Sequence, residues 1–120
     1  MTQKVKKFIK GFDYAIQGMC MGFKERNMQV HGVAAVAVIS AGWYYQISHT
    51  EWLIVFVLIG LVWSAEMVNT AIEEICNILN STEDLAYHVT KRVRDVAAGS
   101  VLVLAIAAFI CAGIIFLPKI

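Results

Sequence analysis

Charged side chains are scarce in this sequence and unevenly spread. Asp, Glu, Lys and Arg make up 16% of its 120 residues while apolar residues reach 59%, against roughly 25% and 45–50% in ordinary soluble domains. Charge is absent from three long stretches, 33–49, 52–65 and 96–117. Runs of this length favour membrane-spanning helices, and the chain is short enough for a single domain over residues 1–120.

Other absences exclude whole classes of function. A net charge of +1 lacks the strongly basic footprint of a nucleic-acid binder, so we expect no nucleic-acid partner. The three cysteines, Cys20, Cys76 and Cys111, show no CxxC spacing, which argues against a zinc site or a disulfide framework. No GxxxxGK[ST] motif occurs, and a P-loop is therefore excluded.

The apolar pattern predicts an all-α membrane protein with a surface helix and three spans. In residues 1–26 apolar side chains recur every three or four positions between lysines, as in a helix lying in the membrane interface. The spans are predicted at about 28–47, 52–72 and 96–117. The polar stretch 77–92 is predicted to be a turn, in which Asn80-Ser81-Thr82-Glu83-Asp84 supplies cap and turn chemistry.

The distribution of cations predicts how the chain crosses the membrane. Six Lys or Arg residues precede the first predicted span, three follow the second, and the connection between those two spans has none. By the positive-inside rule, the N-terminus and the 77–95 segment face the cytoplasm of a multi-pass protein of the cell membrane. Three helices enclose little interior, so we also expect a homo-oligomer.

A stripe of polar side chains marks the second span. Glu66, Asn69 and Glu73 lie at i, i+3 and i+7 and project from one face of the helix, together with Thr70. A carboxylate at membrane depth costs about 2.5–3.5 kcal/mol on insertion scales and usually marks a functional site. The alternatives are a structural polar network paired with Arg94 or a lysine, and a proton-coupled transporter or channel that uses Glu66.

More carboxylates lie near the predicted cytoplasmic interface than a single structural ion pair between helices would use. Such an excess favours a metal ion, and magnesium typically takes one or two protein carboxylates, for which Glu25 and Glu73 are the candidates. Cations able to neutralise phosphate are available at Lys6, Lys7, Arg92 and Arg94. Together these residues favour an ATP-dependent transferase whose site faces the cytoplasm.

Three segments resemble one known family. The segment 66–73, which reads EMVNTAIE, together with RDVAAGSVL at 94–102 and FKERN at 23–27, resembles the prokaryotic diacylglycerol kinase and undecaprenol kinase family along nearly the whole chain. The resemblance implies a homotrimer that transfers the γ-phosphate of ATP, with Mg²⁺, to the hydroxyl of a membrane lipid alcohol. Glu66 would be the catalytic base, and Glu25 and Glu73 would hold the metal.

The resemblance also implies two sets of binding residues. The ATP set is Lys6, Lys7, Tyr14, Glu25, Asn69, Glu73, Arg94 and Asp95, and the lipid set is Gly18, Met21, Gly22, Glu66 and Ala98. The family usually has Lys where this chain has Arg94, and many members have Asp where it has Asn77. Glu25-Arg26-Asn27 with His31 is similar to the branch associated with undecaprenol, which favours that acceptor over diacylglycerol.

Overall fold

The computed structural model describes residues 2–82 and 87–120. Within these residues the chain forms four α-helices and no strand, so the predicted all-α class is confirmed. The elements are α1 (Gln3–Phe23), α2 (Arg26–Tyr45), α3 (His49–Thr82), α4 (Tyr87–Phe116) and a 3-10 turn (Leu117–Lys119).

The turn between α2 and α3 is fixed by reciprocal hydrogen bonds. Gln46 ends α2 in the left-handed region, with φ 52° and ψ 57°, and its N–H donates to the Gly42 carbonyl. The Ser48 N–H donates to Glu51 Oε1 at 3.0 Å, and the Glu51 N–H donates to Ser48 Oγ at 3.2 Å. This capping box satisfies donors at the start of α3. Lys119 Nζ lies 2.9 Å from Glu51 Oε2, which ties the end of the chain to the same turn.

Gly42 allows α2 and α3 to approach closely at this end of the molecule. A Cβ at position 42 would lie 2.8 Å from Cη2 of Trp52, closer than real Cβ contacts. Beside this contact, Ile47, Val55 and Ile115 form a buried apolar cluster with Trp52 packed against it. The small residues predicted in the first span therefore have a packing role at this position.

The predicted turn at 77–92 is wrong over most of its length. α3 continues through Thr82 and α4 begins at Tyr87. The Ser81 and Thr82 hydroxyls donate to the Ile78 carbonyl at 3.0 and 2.7 Å, so these side chains bond back within the helix and do not cap a turn. The cap residues predicted at Glu83 and Asp84 lie outside the described residues.

Two of the helices in the described residues are long and apolar enough to cross a membrane, in the segments His49–Thr82 and Tyr87–Lys119. They contain the second and third predicted spans. α2 coincides with the predicted first span but is less apolar, because its first turns carry Arg26, Asn27, Gln29 and His31 and the rest is rich in Ala and Gly. Its crossing of the membrane stays a prediction, as does the interfacial position of α1.

The helices form a slab whose principal extents are 54 × 50 × 19 Å, in which α3 and α4 pack most extensively. The accessible surface is 9081 Å², whereas a folded soluble monomer of 13.3 kDa has about 6,500 Å². Large apolar side chains of every helix remain exposed on this surface. The excess area is what a chain covered by lipid or by other subunits would show.

Candidate active site on the polar face of α3

Glu66 and Asn69 are buried on the inner face of α3. Each residue is 3% exposed, and Glu73, one turn further along the helix, is half-buried. The structure therefore places all three residues of the sequence stripe on one side of the helix. A carboxylate this deep needs polar partners or a ligand, because an unpaired buried charge is strongly unfavourable.

Asn69 has an unused hydrogen-bonding atom. Its Nδ2 donates to Glu73 Oε1 at 3.3 Å, and this contact fixes the orientation of the amide because a carboxylate only accepts. Asn69 Oδ1 is then buried with no hydrogen-bond partner among residues 2–82 and 87–120. Buried polar atoms are almost always paired, so this oxygen is available to a ligand.

The Glu66 carboxylate faces α2. His31 Nε2 lies 3.6 Å from Glu66 Oε2, and within the described parts of the chain no Lys or Arg nitrogen comes within 4.0 Å of this carboxylate. The predicted alternative, in which Glu66 pairs with Arg94 or a lysine in a structural network, is therefore not what the structure shows. Trp63 Nε1 donates to the His31 carbonyl at 3.3 Å and fixes α2 against α3.

Arg94 and Asp95 lie on α4 and have separate partners. Arg94 Nη2 donates to Asn77 Oδ1 at 2.5 Å, whereas its Nε is buried without a partner in the part of the chain that is described. Lys91 Nζ lies 2.7 Å from Asp95 Oδ2 on the exposed side of the helix. Arg94 thus combines a fixed guanidinium with a spare donor, an arrangement suited to phosphate oxygens.

The two candidate metal ligands sit on different helices. Glu25 is the N-cap residue of α2, is exposed and makes no side-chain capping bond. Glu73 lies on α3 beside Asn69. No group of three or more His, Cys, Asp or Glu side chains able to hold a metal ion occurs within residues 2–82 and 87–120. Carboxylate and amide oxygens nevertheless fit magnesium, which takes few protein ligands when phosphate and water complete its shell.

Only the C-terminal end of α1 approaches this region. A Cβ on Gly22 would lie 3.3 Å from Cγ of Met67, the residue after Glu66, and Phe23 packs edge-to-face on Trp63 with ring centroids 5.0 Å apart. Gly18 faces open space, and Met21 and Ala98 are exposed.

The remaining predicted nucleotide ligands lie further out on α1. Lys6, Lys7 and Tyr14 are exposed. Lys7 is about 24 Å along the helix from Phe23 at 1.5 Å per residue, so α1 alone does not carry the lysines to Glu66.

An apolar cavity of about 230 Å³ lies between α2, α3 and α4. It follows α3 from Val55 to Trp63, about 12 Å of helix, and His31 and Trp63 line its end nearest Glu66. Alanines make much of the remaining wall: Ala34, Ala35, Ala105, Ala108 and Ala112. A lining this apolar suits a hydrocarbon ligand.

Sequence reasoning assigned no contact in this region to His31, Trp63 or Asn77, although it used His31 to favour undecaprenol and noted Asn77 as a departure from the family. Asn77 continues the α3 stripe four residues after Glu73, so helical spacing alone could have assigned it. The contacts of His31 and Trp63 depend on how α2 lies against α3, and a single sequence does not report that.

Comparison with known proteins identifies the family. The sequence pattern described as prokaryotic diacylglycerol kinase matches residues 13–116. Undecaprenol kinase of Bacillus subtilis is 38% identical over 117 residues, covering 97% of this chain and 93% of that protein. Diacylglycerol kinase of Synechocystis sp. is 36% identical over 121 aligned positions, covering 97% of this chain and 66% of that protein. No solved structure matches the chain.

The chain therefore belongs to the prokaryotic diacylglycerol kinase family. It is a membrane lipid kinase, a phosphotransferase with an alcohol group as acceptor, as the resemblance implied. The transporter alternative receives no support from these matches.

Proposed function

We propose that this protein transfers the γ-phosphate of ATP, with Mg²⁺, to the hydroxyl of undecaprenol, and that diacylglycerol is the second-best acceptor. The observation that carries the proposal is a pair of buried atoms, Asn69 Oδ1 and Arg94 Nε, that have no hydrogen-bond partner among residues 2–82 and 87–120 and lie in the same helix pair as the buried carboxylate of Glu66. A polyprenol acceptor is further supported by the relative named undecaprenol kinase, which aligns over almost its full length.

Glu66 is the catalytic base in this proposal. Its carboxylate accepts the proton of the lipid hydroxyl while the hydroxyl oxygen forms a bond to the γ-phosphorus and the bond from that phosphorus to the β,γ-bridging oxygen breaks, which releases ADP. General-base catalysis typically contributes about 10²–10⁴-fold, and positioning and electrostatics supply much of the remainder. The burial of Glu66 suits this role because little bulk water reaches the carboxylate, so the lipid hydroxyl meets few competing partners there.

Residues around Glu66 bind the nucleotide and its metal. Glu25 and Glu73 would hold Mg²⁺, which would neutralise charge on the phosphates. Asn69 Oδ1 supports the same ligand shell, and Arg94 donates from Nε to a phosphate oxygen while Asn77 keeps the guanidinium in place. Further nucleotide contacts are proposed for Asp95 on α4 and, along α1 at a distance from Glu66, for Lys6, Lys7 and Tyr14.

The lipid approaches along the membrane side of the same site. Its headgroup passes the C-terminal end of α1 at Gly18, Met21 and Gly22 and the α4 surface at Ala98. The open space at Gly18 supports this route, and the close contact of Gly22 with Met67 places the end of α1 beside Glu66. The apolar cavity beyond His31 accepts part of the tail, because its lining is almost entirely hydrocarbon.

The chain forms one domain that crosses the cell membrane three times, with α2 as the first span and α1 in the interface. The N-terminus and the polar end of α3 face the cytoplasm, where ATP is present. Subunits assemble as a homotrimer, which would cover part of the excess surface of the isolated slab.

A transfer assay tests this function directly. Purified protein in mixed micelles receives γ-labelled ATP, MgCl₂ and either undecaprenol or diacylglycerol. We expect labelled lipid phosphate with both, at the higher rate with undecaprenol, and none when EDTA removes the metal. A faster reaction with diacylglycerol would overturn the acceptor assignment, and the absence of labelled product with both lipids would overturn the proposed function.

A further inference from the structure

His31 is the side chain that lies against the buried carboxylate of Glu66. We propose that His31 is a positioning residue whose imidazole Nε2 holds Glu66 Oε2 and leaves Glu66 Oε1 free to accept the lipid proton. This inference rests on the proposed function, in which Glu66 is the base.

The geometry of the pair supports a positioning role. Nε2 and Oε2 are 3.6 Å apart, and the side chains of His31 and Glu66 are 20% and 5% exposed. This separation is slightly too long for a hydrogen bond, so a small side-chain rotation closes it when a substrate fills the site. Among the described residues His31 is the one basic side chain with a nitrogen within 4.0 Å of the Glu66 carboxylate.

The backbone around His31 is anchored to α3 near Glu66. Trp63, three residues before Glu66, donates from Nε1 to the His31 carbonyl at 3.3 Å. Trp63 is itself packed edge-to-face against Phe23 of α1. The chain therefore uses three helices to set the separation between the imidazole and the carboxylate.

A base in an apolar site benefits from such a partner. Without one, a buried carboxylate reorients toward any available donor, and its reactive oxygen loses alignment with the acceptor hydroxyl. A donor on Oε2 leaves the other oxygen free for the acceptor hydroxyl, and His31 itself lines the end of the apolar cavity. The pair thus links the end of the apolar cavity to the atom that takes the proton.

Three substitutions separate positioning from simple packing. His31→Gln keeps a nitrogen at the place of Nε2, His31→Asn places it nearer to Nδ1, and His31→Leu removes it. We expect kcat to fall about 10- to 100-fold in His31→Leu and His31→Asn and less than about 5-fold in His31→Gln, with KM for ATP unchanged. His49→Leu is the control, because His49 is exposed and about 25 Å from Glu66 along α3.

The second readout is the combination with Glu66→Gln. If His31 acts through Glu66, adding His31→Leu or His31→Asn to Glu66→Gln lowers the residual rate no further. Full turnover in His31→Asn, equal losses in His31→Gln and His31→Asn, or additive losses in the double variant would overturn the inference. His31→Asn and His31→Gln decide the question if His31→Leu does not fold.

The outcomes also separate this inference from the proposed function. An inactive Glu66→Gln with fully active His31 variants removes only the role of His31. A Glu66→Gln variant with normal turnover overturns the assignment of Glu66 as the base. The proposed positioning role of His31 then falls as well.

Discussion

Asn69 Nδ2 donates a hydrogen bond to Glu73 Oε1 at 3.3 Å, and this contact leaves the buried Asn69 Oδ1 without a partner in the described residues. The Asn69 amide thus orients the Glu73 carboxylate, which is proposed to bind the metal. Its own oxygen, Oδ1, is free to contact the same ligand. The pairing follows from the helix itself, because residues four apart are neighbours on one face.

Replacing Asn69 with Leu should therefore weaken nucleotide binding. The change removes the donor to Glu73 and the free acceptor together, and hydrogen bonds to charged groups are worth about 1.5–3 kcal/mol. We expect KM for ATP to rise about 10- to 100-fold, while KM for the lipid stays within about 2-fold. Initial rates measured over ATP concentration at saturating Mg²⁺ check this. An unchanged KM for ATP would show that Asn69 does not contact the nucleotide or its metal.

Filling the apolar cavity should affect the lipid and not the nucleotide. Ala108 lines the cavity, and Ala108→Leu would occupy the space proposed for the tail. We expect KM for undecaprenol to rise about 5- to 10-fold with KM for ATP unchanged. Ala107→Leu is the matched control, because the neighbouring Ala107 is not among the residues described as lining the cavity. Equal lipid KM values for Ala108→Leu and native protein would contradict the assignment of the cavity.

The packing of the end of α3 against the start of α4 should depend on Thr90. This residue is 3% exposed, and its hydroxyl donates to Asn80 Oδ1 at 3.0 Å with the Tyr87 carbonyl as a second acceptor at 3.1 Å. Thr90→Val leaves Asn80 without its donor and should lower the free energy of unfolding by about 1–3 kcal/mol.

Denaturant unfolding in micelles measures this effect. Thr82→Val is the control, because the Thr82 hydroxyl is exposed and water replaces its bond to Ile78; its effect should stay within about 0.5 kcal/mol. An equal loss of unfolding free energy in both variants would show that the buried hydrogen bonds of Thr90 do not stabilise the protein more than an exposed one.

The sequence predicted the parts of this molecule that depend on one helix at a time. Helical spacing placed Glu66, Asn69 and Glu73 on one face, and hydropathy located the two helices that are long and apolar enough to cross a membrane. It did not predict that α3 extends to Thr82, because Ser and Thr hydroxyls can cap a turn or bond back to the helix, and here they bond back to Ile78.

Contacts between helices could not be predicted from the sequence. The approach of His31 to Glu66, the bond from Trp63 to the His31 carbonyl and the pairing of Arg94 with Asn77 all require the relative rotation and depth of two helices. Ridges and grooves of side chains set that geometry, and several packings are compatible with one apolar pattern. Site residues on one helix were therefore predictable, and their partners on the next were not.

The most direct test of the role of Glu66 compares the turnover of Glu66→Gln with that of Glu74→Gln. The second substitution alters an exposed glutamate of the same helix and is the control. Both variants are assayed with MgATP and undecaprenol after their ATP binding and oligomeric state have been shown to match those of the native protein. We predict that Glu66→Gln loses at least about 100-fold in kcat, the lower limit of a general-base contribution, while Glu74→Gln keeps the native rate. Near-native turnover in Glu66→Gln would contradict the assignment of Glu66 as the base.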